Sequence, residues 1–218
     1  MTFSIIARDP ERGLFGVAVS TAVPCVGAAV PYVKLGVGAI ASQAWTNVRL
    51  GIDGLRLLEL GLSPEAALTA LLQEDPEAAR RQVAAIDRQG RVFVYSGEAC
   101  TEWYGHRTGD NCSVQGNTLA GQETIDAMGE AFERSQGHLA SRLLEALEAG
   151  QAAGGDKRGR ESAALLVRGP ADGDPFAAFD IRVDHHPDPV AELRRIFDLL
   201  QERRRQHLAE HERQRGEG

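Results

Sequence analysis

Thr2 follows Met1, and removal of that methionine would set a free α-amine beside a threonine hydroxyl on a single residue. An α-amino group titrates near about 7.7–8.0, far below a lysine amine, so at neutral pH a share of it is an unprotonated base able to take the hydroxyl proton. Nucleophile and general base are then one residue, and no separate histidine is needed. With Met1 in place, Thr2 is an ordinary strand threonine. Four other stretches gather residue types suited to site chemistry. Ser20 and Thr21 lie in "VSTAVP", and Ser42, Gln43, Thr46 and Asn47 in "ASQAWTN". Gln115 and Asn117 lie in "VQGNTLAG", and Asp156, Arg158, Arg160 and Ser162 in "AGGDKRGRES". Turns bearing Asn, Gln or Ser can aim N–H groups at a developing oxyanion or a substrate, and an arginine fork suits a carboxylate. The same residues also build any tight turn.

Other chemistries find less support. "AGGDKRG" has neither the GxxxxGK[ST] nor the GxGxxG spacing, which excludes a nucleotide loop. "RVDHHPDP" offers Asp184, His185, His186 and Asp188 as metal ligands, but strand alternation turns Asp184 and His186 to one side and His185 to the other. No HExxH-type spacing accompanies them, so a polar strand end before a helix starting at Pro189 is the better account. Cys25, Cys100 and Cys112 form no CxxC pair, so buried free thiols are expected rather than disulfides or zinc. No metal and no cofactor are expected.

The elements that must position these residues follow from periodicity. "TFSIIAR", the turn "DPERG" and "LFGVAVST" read as a hairpin at the N-terminus, and "GVGAIASQA" as a strand packed on both faces. "NVRLGIDGLRLLELGL" and "SPEAALTALLQED" read as two consecutive helices, the second capped by Ser63 with Pro64 first. "RQVAAIDRQGRVFVYSG" is a second hairpin. A second helical pair spans "GQETIDAMGEAFERS" to "HLASRLLEALEAGQAAGG". "ESAALLVRG" and "PFAAFDIRVD" are the last strands, before an amphipathic helix with Val190, Leu193, Ile196 and Leu200 inward. Helices that come in pairs fit antiparallel sheets under helical layers better than a doubly wound parallel sheet. That makes an α+β fold.

Composition bounds the rest. A chain of 218 residues with 43% hydrophobic and 25% charged residues suits one soluble domain. No stretch reaches the roughly 20 apolar residues of a membrane span, and the early charges from Arg8 to Arg12 do not suit a signal peptide. A cytoplasmic address is therefore expected, without membrane contact. Net charge of −7 disfavours nucleic acid, and the basic stretch "RRRQHLAEHERQR" also carries Glu202, Glu210 and Glu212.

"GVAVST", "GVGAIASQAWTN", "YGHRTGD", "QGNTLAG", "AGQAAGGDKRGRESAALLV" and "RVDHHPDPVAELRRIFDL" occur in this order. Together they resemble the domain-of-unknown-function 1028 family, a group assigned to the N-terminal-nucleophile hydrolase superfamily. The likeness runs from Thr2 to about Gln201, and one domain over 1–201 with a polar helix end and tail over 202–218 is expected. The resemblance implies a four-layer αββα sandwich and, at superfamily level, amide hydrolysis by an N-terminal Thr, Ser or Cys, here Thr2. In the proteasome branch a later-strand lysine tunes the threonine, which Lys34 matches in separation, while Ser20 stands near that branch's aspartate. "GRES" replaces the family's more usual Gly-Arg-Gln-Ser.

The resulting expectation is an amidohydrolase for a small or peptide-like metabolite. Thr2 is nucleophile and base, Lys34 or Ser20 tunes it, and Asn117 with backbone N–H groups holds the oxyanion. Gln43, Gln115, Asp156 and Arg158 are the expected substrate contacts. The alternative is a ligand-binding or assembly protein on the same fold, with the closing helix serving a homodimer or larger homo-oligomer. A third reading puts metal-assisted hydrolysis at Asp184 and His186.

Overall fold

The computed structural model describes residues 2–170 and 178–216. β1 (Thr2–Asp9) explains the architecture, because its alternate residues are buried on both sides. Phe3, Ile5 and Ala7 enter one apolar cluster and Ile6 enters another, so the strand needs a layer above and a layer below.

β1 forms an antiparallel hairpin with β2 (Leu14–Thr21). Beyond them lie β7 (Gly105–Gly109), β8 (Cys112–Asn117), β9 (Ser162–Arg168) and β10 (Phe179–Val183), in the spatial order β10-β9-β2-β1-β8-β7. The second sheet holds β3 (Pro31–Lys34), β4 (Gly38–Ala44), β5 (Arg81–Asp87) and β6 (Val92–Ser96), in that order. Both sheets are antiparallel throughout. Helices α1 (Val48–Glu59) and α2 (Pro64–Gln73) cover the second sheet through Leu50, Leu55, Leu58, Leu68 and Leu72. Helices α3 (Glu123–Arg134) and α4 (Leu139–Ala152) cover the first. α5 (Pro189–Gly216) lies against β9 and β10. The layers run α, β, β, α.

The hairpins and helix pairs match the sequence expectation, down to Ser63 accepting a hydrogen bond from the Ala66 N–H. The strand expected from Pro175 begins at Phe179 among the described residues, and 175–177 lie outside them. Three strands are additions. β3 and β7 are short and partly exposed, with no apolar run to mark them. β8 is the larger correction, since "VQGN" reads as a glycine-rich turn but supplies a strand buried along its whole length beside β1.

The face of α5 expected to serve a dimer is already occupied. Leu193 is fully buried in the core under the first sheet, and Ile196 and Leu200 pack against the same core. The helix also runs without a break through residue 201. No helix among the described residues is long and apolar enough to cross a membrane.

A polar knot fixes where α1 and β5 begin. The Asp75 carboxylate, nearly buried, takes Arg81 Nε at 2.9 Å and Nη2 at 3.1 Å. It also takes Asn47 Nδ2 at 2.7 Å and the Glu77 N–H at 2.9 Å, while Asn47 caps α1. Arg81 reaches on to the Trp45 carbonyl. The Arg81 guanidinium, against the cost of burial, holds the Asp75 carboxyl down at about 2. Because this lies below its ordinary value of 3.8, the unfolded chain binds the proton first as pH falls. The stabilisation is therefore complete above about pH 4 and is lost as pH falls through 2. Asp75→Asn is expected to lower the unfolding free energy at neutral pH by about 2–3 kcal/mol, with the gap to wild type narrowing near pH 2.5. Urea titrations of both proteins at the two pH values check this.

Candidate functional site

Thr2 heads β1, with β2 on one flank and β8 on the other. The register sets Phe3 against Ser20 on one side and Thr2 against Asn117 on the other. Thr2 is 5% exposed, and its Oγ1 donates to Thr21 Oγ1 at 3.3 Å. Ser20 shares the side of Phe3, which faces the helices, and its hydroxyl donates to the Ser162 carbonyl at 3.4 Å. Thr21, one residue on, is therefore the β2 hydroxyl that meets Thr2.

Below Thr2 the space between the sheets is polar. Ser113 Oγ donates to Gln115 Oε1 at 2.9 Å, Gln115 Nε2 to Ser4 Oγ at 2.7 Å, and Ser4 Oγ to Gln43 Oε1 at 2.7 Å. Gln43 Nε2 donates to Gln82 Oε1 at 2.8 Å, and Gln82 Nε2 to Ser96 Oγ at 2.9 Å. Asn117 Nδ2 joins at Gln82 Oε1, 3.1 Å away. Gln43 Nε2 also lies 3.4 Å from the Thr2 carbonyl. Gln82 Nε2 faces a second acceptor, the Gly116 carbonyl at 2.9 Å, which fixes its oxygen towards Gln43 and Asn117. Gln43 and Gln115 are fully buried in this chain, so they hold strands together and do not face a ligand.

Beside Asn117 opens a cleft of about 330 Å³, lined by Ala44, Trp45, Arg80, Ala99, Cys100, Thr101, Asn117, Thr118 and Arg158. Arg80 stacks its guanidinium 5.0 Å above the Trp45 ring. The Arg158 side chain is held by Asp156, Nη2 to Oδ2 at 3.1 Å. Asp156 is buried and accepts the N–H groups of Ala22 at 3.1 Å and Arg158 at 2.9 Å. It reaches this place because Gly154 and Gly155 take φ of 116° and 55°, and the Gly155 carbonyl then accepts the Ala120 N–H. Burial pushes the Cys100 thiol up, and its Sγ donates to the Arg81 carbonyl at 3.4 Å. A thiol in that state is a poor nucleophile. Cys112 is a buried free thiol as well, whereas Cys25 is exposed, against the expectation that all three are buried. Thr118 has φ of 50°, and its buried Oγ1 has no hydrogen-bond partner among the described residues.

Thr2, Asn117, Asp156 and Arg158 are thus brought to one end of the sandwich, with Gln43 and Gln115 beneath. Lys34 is not. It pairs with Gly38 at the far end of β4, five residues from Gln43 or about 16 Å of strand, and its Nζ meets Glu59 at 2.5 Å on the surface. Of the proposed metal ligands, Asp184 is paired with Arg182 at 2.9 Å and His186 Nδ1 accepts the Asp188 N–H at 3.0 Å. A hollow of about 370 Å³ between Asp9, Arg12, Glu133 and Arg142 lies at the other end of β1 and contains none of the residues singled out in the sequence.

Sequence reasoning missed Gln82, Trp45, Arg80 and Thr118. Gln82 sits in "RQVAAID", where one polar residue in an apolar strand reads as a solvent-facing position. The usable signal was collective: Thr2 and Ser4, then Ser113, Gln115 and Asn117, place polar residues at every second position of strands that are covered on both faces.

The family described as "Family of unknown function (DUF1028)" matches residues 2–193. The chain belongs to the DUF1028 family. The crystal structure of a protein from Silicibacter pomeroyi, also assigned to DUF1028, superposes with a TM-score of 0.83 at 35% identity. That match covers 90% of this chain and 88% of the other. Comparison with curated proteins gives no match. The motifs that suggested DUF1028 include both polar ends of the site, "QGNTLAG" and "AGGDKRGRES".

Replacing Gln82 tests the buried chain. Gln82→Leu leaves the Gln43 and Asn117 amide donors without their acceptor, and is expected to cost about 2–4 kcal/mol of unfolding free energy. Urea denaturation at neutral pH measures it; a loss under about 0.5 kcal/mol would mean that the amides re-pair elsewhere.

Proposed function

We propose that this DUF1028 protein is an N-terminal-nucleophile amidohydrolase that acts on a small or peptide-like metabolite once Met1 is removed. Met1 lies outside the described residues. The observation that carries the proposal is the seat of Thr2: it heads the central strand of the first sheet, hydroxyl against Thr21, next to Asn117 in the wall of the cleft.

The chemistry balances with the residues at hand. The freed α-amine takes the Thr2 Oγ1 proton as the oxygen attacks the amide carbon, and the C–O bond forms while the carbonyl π pair moves to oxygen. Asn117 spends one amide hydrogen on Gln82, and its second is suited to the resulting oxyanion. Collapse breaks the C–N bond, and the amine leaves with the proton from the α-ammonium. Water, deprotonated by the same α-amine, then cleaves the acyl-threonine ester and restores the hydroxyl.

A second reading, binding without turnover, is favoured by the distance of Lys34, which leaves Thr2 without the tuning lysine of the proteasome branch. Intact-mass measurement of the purified native-start chain is expected to show loss of one methionine. In an amide-hydrolysis screen, Thr2→Ala should lose at least about a thousandfold in turnover and Thr2→Ser should stay within about tenfold of wild type. Uniform retention of Met1, or unchanged turnover in Thr2→Ala, removes the proposal. Thermal stabilisation by ligands without turnover would pass the site to the binding reading.

A further inference from the structure

We infer that the cleft beside Thr2 takes a small molecule with a carboxylate next to its amide and a flat apolar group. This rests on the amidohydrolase reading only for the bond that reacts. The first support is charge. Arg80 and Arg158 line the cleft, and among the described residues no Asp or Glu does. Their carboxylate partners, Glu77 at 3.3 Å and Asp156 at 3.1 Å, are not wall residues. Asp156 is also committed to two backbone N–H groups, so it orients the Arg158 fork instead of offering a site for a cation. With both guanidinium charges offset by these partners, the wall offers hydrogen-bond donors that suit a carboxylate and, among the described residues, no acidic side chain for a cation.

The second support is Thr118. A β-branched residue at φ 50° is uncommon, and here it holds a buried hydroxyl with no partner in the cleft wall. Buried hydroxyls are ordinarily satisfied, and strained backbone gathers at ligand sites, so a ligand acceptor or donor would complete this one. The third is Trp45, a residue 61% exposed whose ring lies under the Arg80 guanidinium and offers a flat apolar surface. At about 330 Å³ the cleft falls in the size range of small-molecule sites.

The test uses full-length Thr2→Ala protein, so that binding is read without turnover. Calorimetric titrations compare N-benzoylglycine with its neutral amide, N-benzoylglycinamide, and with inorganic phosphate. The carboxylate probe is expected to bind at least about tenfold more tightly than the neutral one. Arg80→Gln and Arg158→Gln should each remove most of that preference. Arg158→Lys, which keeps a charge beside Asp156, should retain part of it and guards against a misfolded Arg158→Gln. Equal affinities, no binding by either probe, or phosphate binding as tightly as N-benzoylglycine would overturn the inference. Wild-type hydrolysis of neutral amides with no carboxylate preference would keep the hydrolase and remove this inference. Preference without hydrolysis of any amide would do the reverse.

Discussion

Every residue of β1 and β8 except Arg8 is buried, and the rest of the structure answers to that constraint. A strand enclosed on both sides must fill each side with apolar atoms or pair every polar one. β1 and β8 do the first towards α3 and α4, through Phe3, Ile5, Cys112 and Val114, and the second towards the other sheet, through Thr2, Ser4, Ser113, Gln115 and Asn117. Because the side-chain period is two, a slip of one residue would exchange these faces and bury both sets against the wrong neighbours. The hydrogen bonds to Gln43 and Gln82 then tie the register of one sheet to that of the other.

The site inherits its geometry from that lock. Thr2 and Asn117 are cross-strand partners, so whatever fixes β8 against β1 also sets the distance between a hydroxyl and an amide. Two further supports converge from other parts of the chain. The Asp75 and Arg81 knot holds the Trp45 carbonyl, and the Gly154-Gly155 turn returns Asp156 to the end of β2. Parts of the chain more than 100 residues apart in sequence thereby share one cleft without any of them lying on a long loop.

Periodicity made the helices legible, because an apolar stripe such as Leu139, Leu143 and Leu147 has one reading when a sheet lies beneath it. It failed on β8, where Gly116, Asn117 and Gln115 have poor strand propensity and win their place through pairing with β1 and Gln82. Within the site, Thr2, Asn117, Asp156 and Arg158 were visible as residue types, but the choice of Thr21 over Ser20 depends on which face of β2 looks inward. Spacing alone could not place Lys34 either: it stands 32 positions after Thr2 in sequence, and β3 carries it to the end of the second sheet opposite Gln43. The exposed ring of Trp45 and the bent backbone at Thr118 are products of tertiary contacts that no local pattern announces.

The amide chain also runs in one direction. From Ser113 through Gln115, Ser4, Gln43 and Gln82 to Ser96, each side chain accepts from the one before and donates to the one after. Rotating the Gln82 amide would set its nitrogen against those of Gln43 and Asn117 and its oxygen against the Gly116 carbonyl. For sequence drift this makes the five strands a linked unit: a lone exchange at Ser4, Gln43 or Gln82 strands a neighbour, whereas matched apolar replacements at two contacting positions remove both needs together. Substitutions here should accumulate in lineages as coordinated pairs, so the polar interior of the sandwich changes in steps larger than one residue.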